Sequence, residues 1–118
     1  MGIMRPTPGV LKGMNWTPAD AIFARVNDAR YHQLLAAAKD TNINAMRVWG
    51  GGVYELDSFY AKCDELGILI THDFMFACGC YPQDLAFLDE ARREAEFQVK
   101  RKSPGARRSC LRMWRLWM

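Results

Sequence analysis

The sequence predicts an α/β protein in which three βα units build a parallel sheet. Three short apolar runs, at residues 10–16, 45–49 and 68–73, have the composition of buried strands. A segment with helical periodicity follows each run, and the strands start about 24 to 35 residues apart, as consecutive right-handed βαβ units require. Two layouts fit this order, a doubly wound sheet and a partial (β/α)8 TIM barrel. A full barrel needs about 250 residues, so a chain of 118 can supply three units and a fourth strand.

The first unit begins after an irregular lead-in at residues 1–10, which is rich in proline and has no periodic pattern. Its strand ends before Pro18, because proline cannot continue a helix and holds the residue before it extended. Residues 19–26 are predicted to be a loop. Asn27 is the predicted N-cap of the first helix, whose apolar face carries Tyr31, Leu34, Leu35 and Ala38.

The central strand, residues 45–49, contains one anomaly, Arg47, in an otherwise apolar run. A buried guanidinium has to meet an acid or point into a cleft, because an unpaired buried charge is costly. Gly50-Gly51-Gly52 follows and lacks the spacing of either GxGxxG or GxxxxGK[ST]. We therefore interpret it as a plain strand-to-helix turn rather than a phosphate-binding loop. It leaves Arg47 and Trp49 near the carboxyl end of the strand, where α/β proteins bind ligands.

The second helix is predicted to be capped by Asp57 or Ser58 and to stop at Gly67, which suits a left-handed C-terminal position. Its apolar face carries Phe59, Cys63 and Leu66. The third strand follows at 68–73. Glu55, ahead of the second helix, is expected to interact favourably with the helix dipole or to cap backbone amides.

The third helix, over residues 85–102, should bury one face and form ion pairs on the other. The buried face would hold Leu88, Ala91, Ala95 and Val99. The predicted i, i+4 pairs are Asp89 with Arg93 and Glu96 with Lys100.

Composition limits the classes of function. Half of the residues are apolar and a quarter are charged, as in globular proteins. No apolar run is long enough to cross a bilayer and the amino terminus has no signal-peptide core, so we expect no membrane association and a cytoplasmic location. The four cysteines lack metal-site spacing and are expected to be reduced, buried thiols that bind no metal.

Charge divides the chain unevenly. Residues 1–99 carry nine basic and thirteen acidic side chains, a net charge of −4, whereas residues 100–118 carry seven basic and no acidic ones, a net charge of +7. The last nineteen residues are therefore a different kind of sequence. A tail of this kind, with Trp114 and Trp117, allows one alternative function, binding of nucleic acid through phosphate contacts and base stacking.

Polar and aromatic residues gather at the predicted carboxyl ends of the strands. They are Asn15 and Trp16 from the first strand, Arg47 and Trp49 from the second, and His72 and Asp73 from the third. Tryptophan with arginine and carboxylate is the composition of a sugar site, since an indole stacks on a pyranose while charged groups bond its hydroxyls. Simpler interpretations are core packing for each tryptophan, an ion pair between Asp73 and Arg47, and a satisfied histidine near the surface for His72.

Three motifs in this order resemble the start of the catalytic barrel of β-mannosidases in glycoside hydrolase family 2. They are Lys12-Gly13-Met14-Asn15-Trp16-Thr17-Pro18-Ala19-Asp20, Arg47-Val48-Trp49-Gly50-Gly51-Gly52-Val53-Tyr54-Glu55, and Cys63-Asp64-Glu65-Leu66-Gly67-Ile68 followed by Asp73-Phe74-Met75-Phe76-Ala77-Cys78. The resemblance covers about residues 11–101, so the chain divides into the lead-in 1–10, a barrel segment 11–101 and a basic, divergent tail 102–118.

The resemblance implies a retaining hydrolase of terminal β-mannosides that uses two Glu residues about 5 Å apart and no cofactor. It also implies substrate-binding roles for Trp49, Arg47, Asp73, Asn15 and Trp16. The acid/base Glu of the family would fall near position 116, which is Leu116 here, and the nucleophile belongs to a later strand. We therefore expect no catalytic residue in this chain, inactivity of the chain alone, and self-association through an open apolar barrel face. A shifted reading frame would explain the tail, and resequencing of the source locus would test that.

Overall fold

A computed structural model describes residues 10–102 and the backbone of residues 112–115. The sheet contains β1 (Gly13–Trp16), β2 (Ala45–Val48), β3 (Leu69–Asp73) and β4 (Arg112–Arg115). A 3-10 turn at Phe23–Arg25 precedes the first helix, and the helices are α1 (Asp28–Asp40), α2 (Asp57–Leu66) and α3 (Leu85–Lys102). The predicted α/β class, with a parallel sheet and helices, is confirmed.

The four strands are parallel and lie in the order β1-β2-β3-β4. A doubly wound sheet requires a point at which the strand order reverses, and these four strands contain none. Of the two predicted layouts, the sequential order therefore argues against the doubly wound one. Residues 1–9 of the expected lead-in and most of the expected tail at 102–118 lie outside the described residues.

Side chains alternate between the two faces of the sheet. On β1, β2 and β3 the residues of even number face the helices. All of them except Met14, which is 42% exposed, are buried: Trp16, Met46, Val48, Ile70 and His72. Except for the polar His72, they join Tyr31, Leu35, Phe59, Tyr60, Cys63 and Ile68 in the core cluster. Residues of odd number, such as Asn15 and Arg47, therefore lie on the opposite face. We refer to the two faces as the helix face and the open face.

The helix ends follow the sequence in part. Asn27 caps α1 as predicted, since its Oδ1 accepts from the Arg30 amide at 3.0 Å. Gly67, with φ of 68°, ends α2 in the left-handed conformation that glycine adopts at little cost. The predicted cap of α2 is wrong, because its N-cap position is Leu56 and makes no side-chain bond.

The expected buried face of α3 is only partly buried, with Leu88 and Val99 each more than a third exposed. The predicted pair of Arg93 with Asp89 is present at 2.5 Å. Glu96 bonds Arg92 at 2.7 Å rather than the predicted Lys100, because Arg92 lies between the two acids and reaches both.

The cysteine expectation holds for one of the three described thiols. Cys63 is a thiol buried in the core, whereas Cys78 and Cys80 are thiols exposed in the loop after β3. Cys110 lies outside the described residues. Within residues 10–102, none of the helices combines the length and the apolar character that a membrane span needs.

Candidate functional site

Arg47 on β2 reaches across the open face of the sheet to Asp73 at the carboxyl end of β3. Its Nη2 lies 2.5 Å from Asp73 Oδ2 and its Nε lies 3.3 Å from Oδ1, a bidentate pair. Asp73 is fully buried while the arginine side chain is 31% exposed. The pairing explains how a guanidinium can lie in an apolar strand, because the bidentate carboxylate supplies the opposite charge that a partly buried guanidinium requires.

Asn15 on β1 joins this pair from the other side. Its Oδ1 accepts from Arg47 Nη1 at 3.4 Å. The register explains the meeting, since Asn15 stands opposite Arg47 in the ladder between β1 and β2. Three of the five predicted site residues therefore contact one another on the open face, with the guanidinium in the middle and still partly open to solvent.

Trp49 directly follows β2 and continues the pairing with β1, because its amide donates to the Trp16 carbonyl at 3.0 Å. Alternation puts Trp49 on the same side of the sheet as Arg47. Its ring lies against Gly51, where an added Cβ would fall 2.2 Å from the indole. The glycine turn thus provides the space that the Trp49 ring occupies.

Gly50 explains why the turn sits so close to β3. A Cβ at this position would lie 2.5 Å from the Phe74 carbonyl oxygen and 3.1 Å from Asp73 Cβ. The absence of a side chain therefore lets the end of β2 approach the residue that holds Arg47. The role of Gly50 is this close approach.

Trp16 lies on the opposite face of the sheet from Arg47 and Asp73, and its substrate-binding role stays a prediction. It follows Asn15 directly, so it points to the helix face, where it is 6% exposed. Its ring packs on Phe59 with a centroid distance of 4.8 Å. The simpler interpretation of Trp16 as a core residue is the one the structure supports.

Glu55 takes a different place from the one expected at the head of α2. It is buried, and its carboxylate accepts from Trp16 Nε1 at 2.9 Å and from the Tyr31 hydroxyl. Burial and the hydrogen bond to Glu55 raise the pKa of Tyr31 far above its usual range. These donors precede Glu55 by 39 and 24 residues, so local sequence carried no signal of this network.

His72 is also on the helix face and is fully buried, not near the surface as expected. Its Nδ1 lies 2.6 Å from the Asp73 carbonyl oxygen, which can only accept, so this nitrogen carries the proton. Nε2 lies 2.8 Å from the Tyr60 hydroxyl. Both ring nitrogens are engaged, so the imidazole is held in one orientation within the core.

Tyr54 connects α3 to the residues that follow β3. Its hydroxyl donates to Glu94 on α3 at 2.6 Å and accepts from the Met75 amide at 3.3 Å. Its ring stacks on His72 with a centroid distance of 5.5 Å. Burial, together with the hydrogen bond to Glu94, raises the pKa of Tyr54 well above its usual value.

A separate apolar cavity of about 290 Å³ lies between α3 and the loop after β3. It is lined by Phe74, Phe76, Tyr81, Phe87, Leu88, Ala91, Arg92 and Ala95. None of the predicted site residues lines it. Across residues 10–102 there is no group of three side chains arranged to hold a metal ion.

Comparison with known proteins relates the chain to β-mannosidases. It is 56% identical over 94 residues to the β-mannosidase of Bos taurus and 48% identical over 89 residues to β-mannosidase B of Thermothelomyces thermophilus. These matches cover 80% and 75% of this chain but only 11% and 10% of the relatives. No family model matches the sequence.

A solved structure gives the same relation. The crystal structure of the β-D-mannosidase from Dictyoglomus thermophilum superposes with a TM-score of 0.80 at 48% identity, covering 88% of this chain and 12% of that one. In sequence and in fold, the chain therefore belongs with the β-mannosidases, of which it matches a segment of about a tenth of their length.

Proposed function

We propose that this chain supplies the first βα units of a β-mannosidase barrel and one side of its sugar pocket. The sequential order of four parallel strands supports a partial (β/α)8 barrel, because strands follow one another in this way around such a barrel. Further support is the likeness to a solved β-D-mannosidase with a TM-score of 0.80.

The contact between Arg47, Asp73 and Asn15 carries the site proposal. The Arg47 guanidinium is held by Asp73 and Asn15 and is still 31% exposed, so it can donate to a sugar hydroxyl without losing its partner. Trp49, on the same side of the sheet, would supply the apolar surface on which a pyranose stacks. The substrate would be a β-mannoside or an oligosaccharide that ends in one.

The chemistry we propose for the full enzyme is retaining hydrolysis, with a nucleophile and an acid/base about 5 Å apart. The two buried carboxylates near the candidate site already accept hydrogen bonds from other side chains of the chain. Asp73 holds Arg47 on the open face, and Glu55 holds Trp16 and Tyr31 on the helix face. We therefore expect that the 118 residues alone do not hydrolyse β-mannosides.

A chimera tests the proposal. Residues 11–101 replace the matching segment of bovine β-mannosidase, and hydrolysis of an aryl β-mannoside is measured. We expect an active chimera in which Arg47→Met lowers kcat/KM by about 100-fold, the order reported for losing one preorganised donor. The isolated 118-residue chain should show no turnover above background.

The matched control is Arg93→Met, which removes an arginine that is 72% exposed on α3. It should leave kcat/KM unchanged, and thermal unfolding of each chimera separates loss of fold from loss of function. A folded chimera without activity would contradict the β-mannosidase proposal. Full activity after Arg47→Met would contradict the site assignment only.

The nucleic-acid alternative gains no support from the described residues. Five of the seven basic side chains on which it depends, Lys102, Arg107, Arg108, Arg112 and Arg115, belong to the part whose side chains are not described. The two described ones, Lys100 and Arg101, lie on α3, where Arg101 bonds Asp57 at 2.8 Å.

A further inference from the structure

Two exposed thiols, Cys78 and Cys80, flank Gly79 in the loop between β3 and α3. The third described cysteine, Cys63, is buried in the core. Reactivity of a thiol requires access, so the exposed pair and the buried residue differ sharply within one chain. The proposed function uses neither exposed thiol.

The loop that carries the pair is closed on itself. The Tyr81 hydroxyl donates to the Ala77 carbonyl at 3.0 Å, so the chain turns back between these two residues. The Tyr81 ring packs edge-on against Phe76 and stacks on Phe87 of α3, with centroid distances of 5.4 and 6.1 Å. These contacts of Tyr81 fix the conformation of the turn, while both thiols remain exposed to solvent.

The backbone at Cys78 is turned within this loop. Cys78 has φ of 59°, a left-handed conformation that is unfavourable for a residue with a Cβ. Residues two apart lie at most about 7 Å from each other between Cα atoms in any chain, and a turn shortens this distance into the range that a disulfide spans.

We propose that Cys78 and Cys80 are a reversible thiol modification site that forms an intraloop disulfide by exchange with small-molecule disulfides such as glutathione disulfide. One cysteine thiolate attacks a sulfur of the small disulfide, forms a mixed disulfide and releases one small thiolate. The second cysteine thiolate attacks the protein sulfur of that mixed disulfide, which forms the Cys78–Cys80 bond and releases the second small thiolate. The loop loses two protons and two electrons, and the small disulfide is reduced to two thiols.

The loop that carries Cys78 and Cys80 packs against the glycine turn of the candidate site. Ala77, the residue that Tyr81 holds, has its Cβ 3.4 Å from where a Cβ on Gly50 would lie. The turn that carries Trp49 therefore packs against the same short segment. A bond between Cys78 and Cys80 would alter a loop that supports this turn.

Mass spectrometry after equilibration in glutathione buffers tests the proposal, with the full chain carrying Cys110→Ser so that three thiols remain. The expected product has lost two hydrogens and carries no glutathione, while Cys63 resists alkylation until the chain is unfolded. Cys78→Ser and Cys80→Ser should each keep one glutathione on the remaining exposed thiol. Stable glutathione adducts on the parent chain, or no reaction, would overturn the proposal.

A second comparison tests whether the fold favours the bond. The equilibrium constant for closing the disulfide should be about tenfold higher in native buffer than in guanidinium, because a preorganised loop raises the effective concentration of the second thiol. Tyr81→Phe keeps the ring and removes the hydroxyl. It should therefore lower the equilibrium constant for closing the disulfide in native buffer towards the value measured in guanidinium. Equal constants in all three cases would show that the pair is an ordinary sequence neighbour and would overturn the proposal.

Discussion

Glu55 joins three parts of the chain that are far apart in sequence. Its carboxylate accepts from Trp16 on β1 and from Tyr31 on α1, while Glu55 itself precedes α2. Both donors would remain buried if the carboxylate were removed, and an unsatisfied buried donor is expensive. A residue whose sequence position indicated a helix-end charge is therefore a central polar contact of the core.

We predict that Glu55→Ala destabilises the fold by about 2–4 kcal/mol, because it leaves the indole N–H and the Tyr31 hydroxyl without their acceptor. Urea denaturation followed by circular dichroism gives the free energy of unfolding. Glu90→Ala, which removes an exposed carboxylate on α3, is the control and should leave the midpoint unchanged. Equal midpoints for the two variants would contradict the importance of the network.

The tyrosines predict a loss of stability at high pH. Burial and a carboxylate partner raise the pKa of Tyr31 and of Tyr54 in the folded chain. The folded state thus keeps protons that the unfolded state releases near pH 10. The contribution to stability is complete below that pH and declines as the pH rises above it.

Titration of tyrosinate absorbance measures this directly. Of the four tyrosines, Tyr31 and Tyr54 should ionise only at a pH well above 10, or when the chain unfolds. In Tyr31→Phe, one late-ionising group should disappear. Ionisation of all four together near pH 10, with the circular dichroism of the folded chain retained, would contradict the two shifts.

At the scale of elements, the sheet depends on how closely β2 and β3 approach each other at their carboxyl ends. We predict that Gly50→Ala destabilises the fold by about 1–3 kcal/mol, since the new Cβ would overlap the Phe74 carbonyl oxygen. Gly13→Ala is the matched control in β1, where the nearest atom to an added Cβ is 3.8 Å away. Thermal unfolding compares the two, and a midpoint for Gly50→Ala as high as that of Gly13→Ala would be the contrary result.

The elements themselves and the buried faces of α1 and α2 were largely predictable from sequence, whereas the sheet faces of the strand-end residues were not. Helices α1 and α2 and strands β2 and β3 lie within about one residue of the predicted bounds, because apolar periodicity and the residues Asn27 and Gly67 mark them locally. β1 is shorter than predicted, and Val10 is 78% exposed.

The candidate site shows why the rest was missed. Asn15 and Trp16 are adjacent in sequence, as are His72 and Asp73, so within each pair the side chains point to opposite faces of the sheet. The prediction made from the strand ends placed the side chains of all four residues together at one edge of the sheet. Strict application of the two-residue period would have assigned Asn15 and Asp73 to the open face with Arg47. The partners of Glu55 depend on the packing of distant elements, which no local pattern encodes.

For the whole molecule, α3 carries large apolar side chains that are open to solvent, with Leu85 at 85% and Phe97 at 61% exposed. Exposed apolar side chains of this size favour association with other surfaces. The described residues of the open face include the polar side chains of Asn15, Arg47 and Thr71, and self-association through that face stays a prediction.

We predict that the isolated chain self-associates and that Leu85→Lys with Phe97→Lys weakens this association. Sedimentation equilibrium should give an average mass that rises above 13.5 kDa with concentration. The double variant should stay closer to the monomer, while Ala36→Lys on the exposed side of α1 should behave as the parent does. A monodisperse parent at high concentration would rule out this surface.

The position of the core along the chain has a consequence for synthesis. Every member of the described core cluster lies between Trp16 and Ile70, from β1 to β3. A ribosome has therefore translated all of these residues before it begins α3, and the contacts among them close only short and medium loops. The β1–β3 unit can thus form its aromatic core while the last third of the chain is still being made. Helix α3 would then dock late on a surface that is already folded, and it would be the first element to detach under stress.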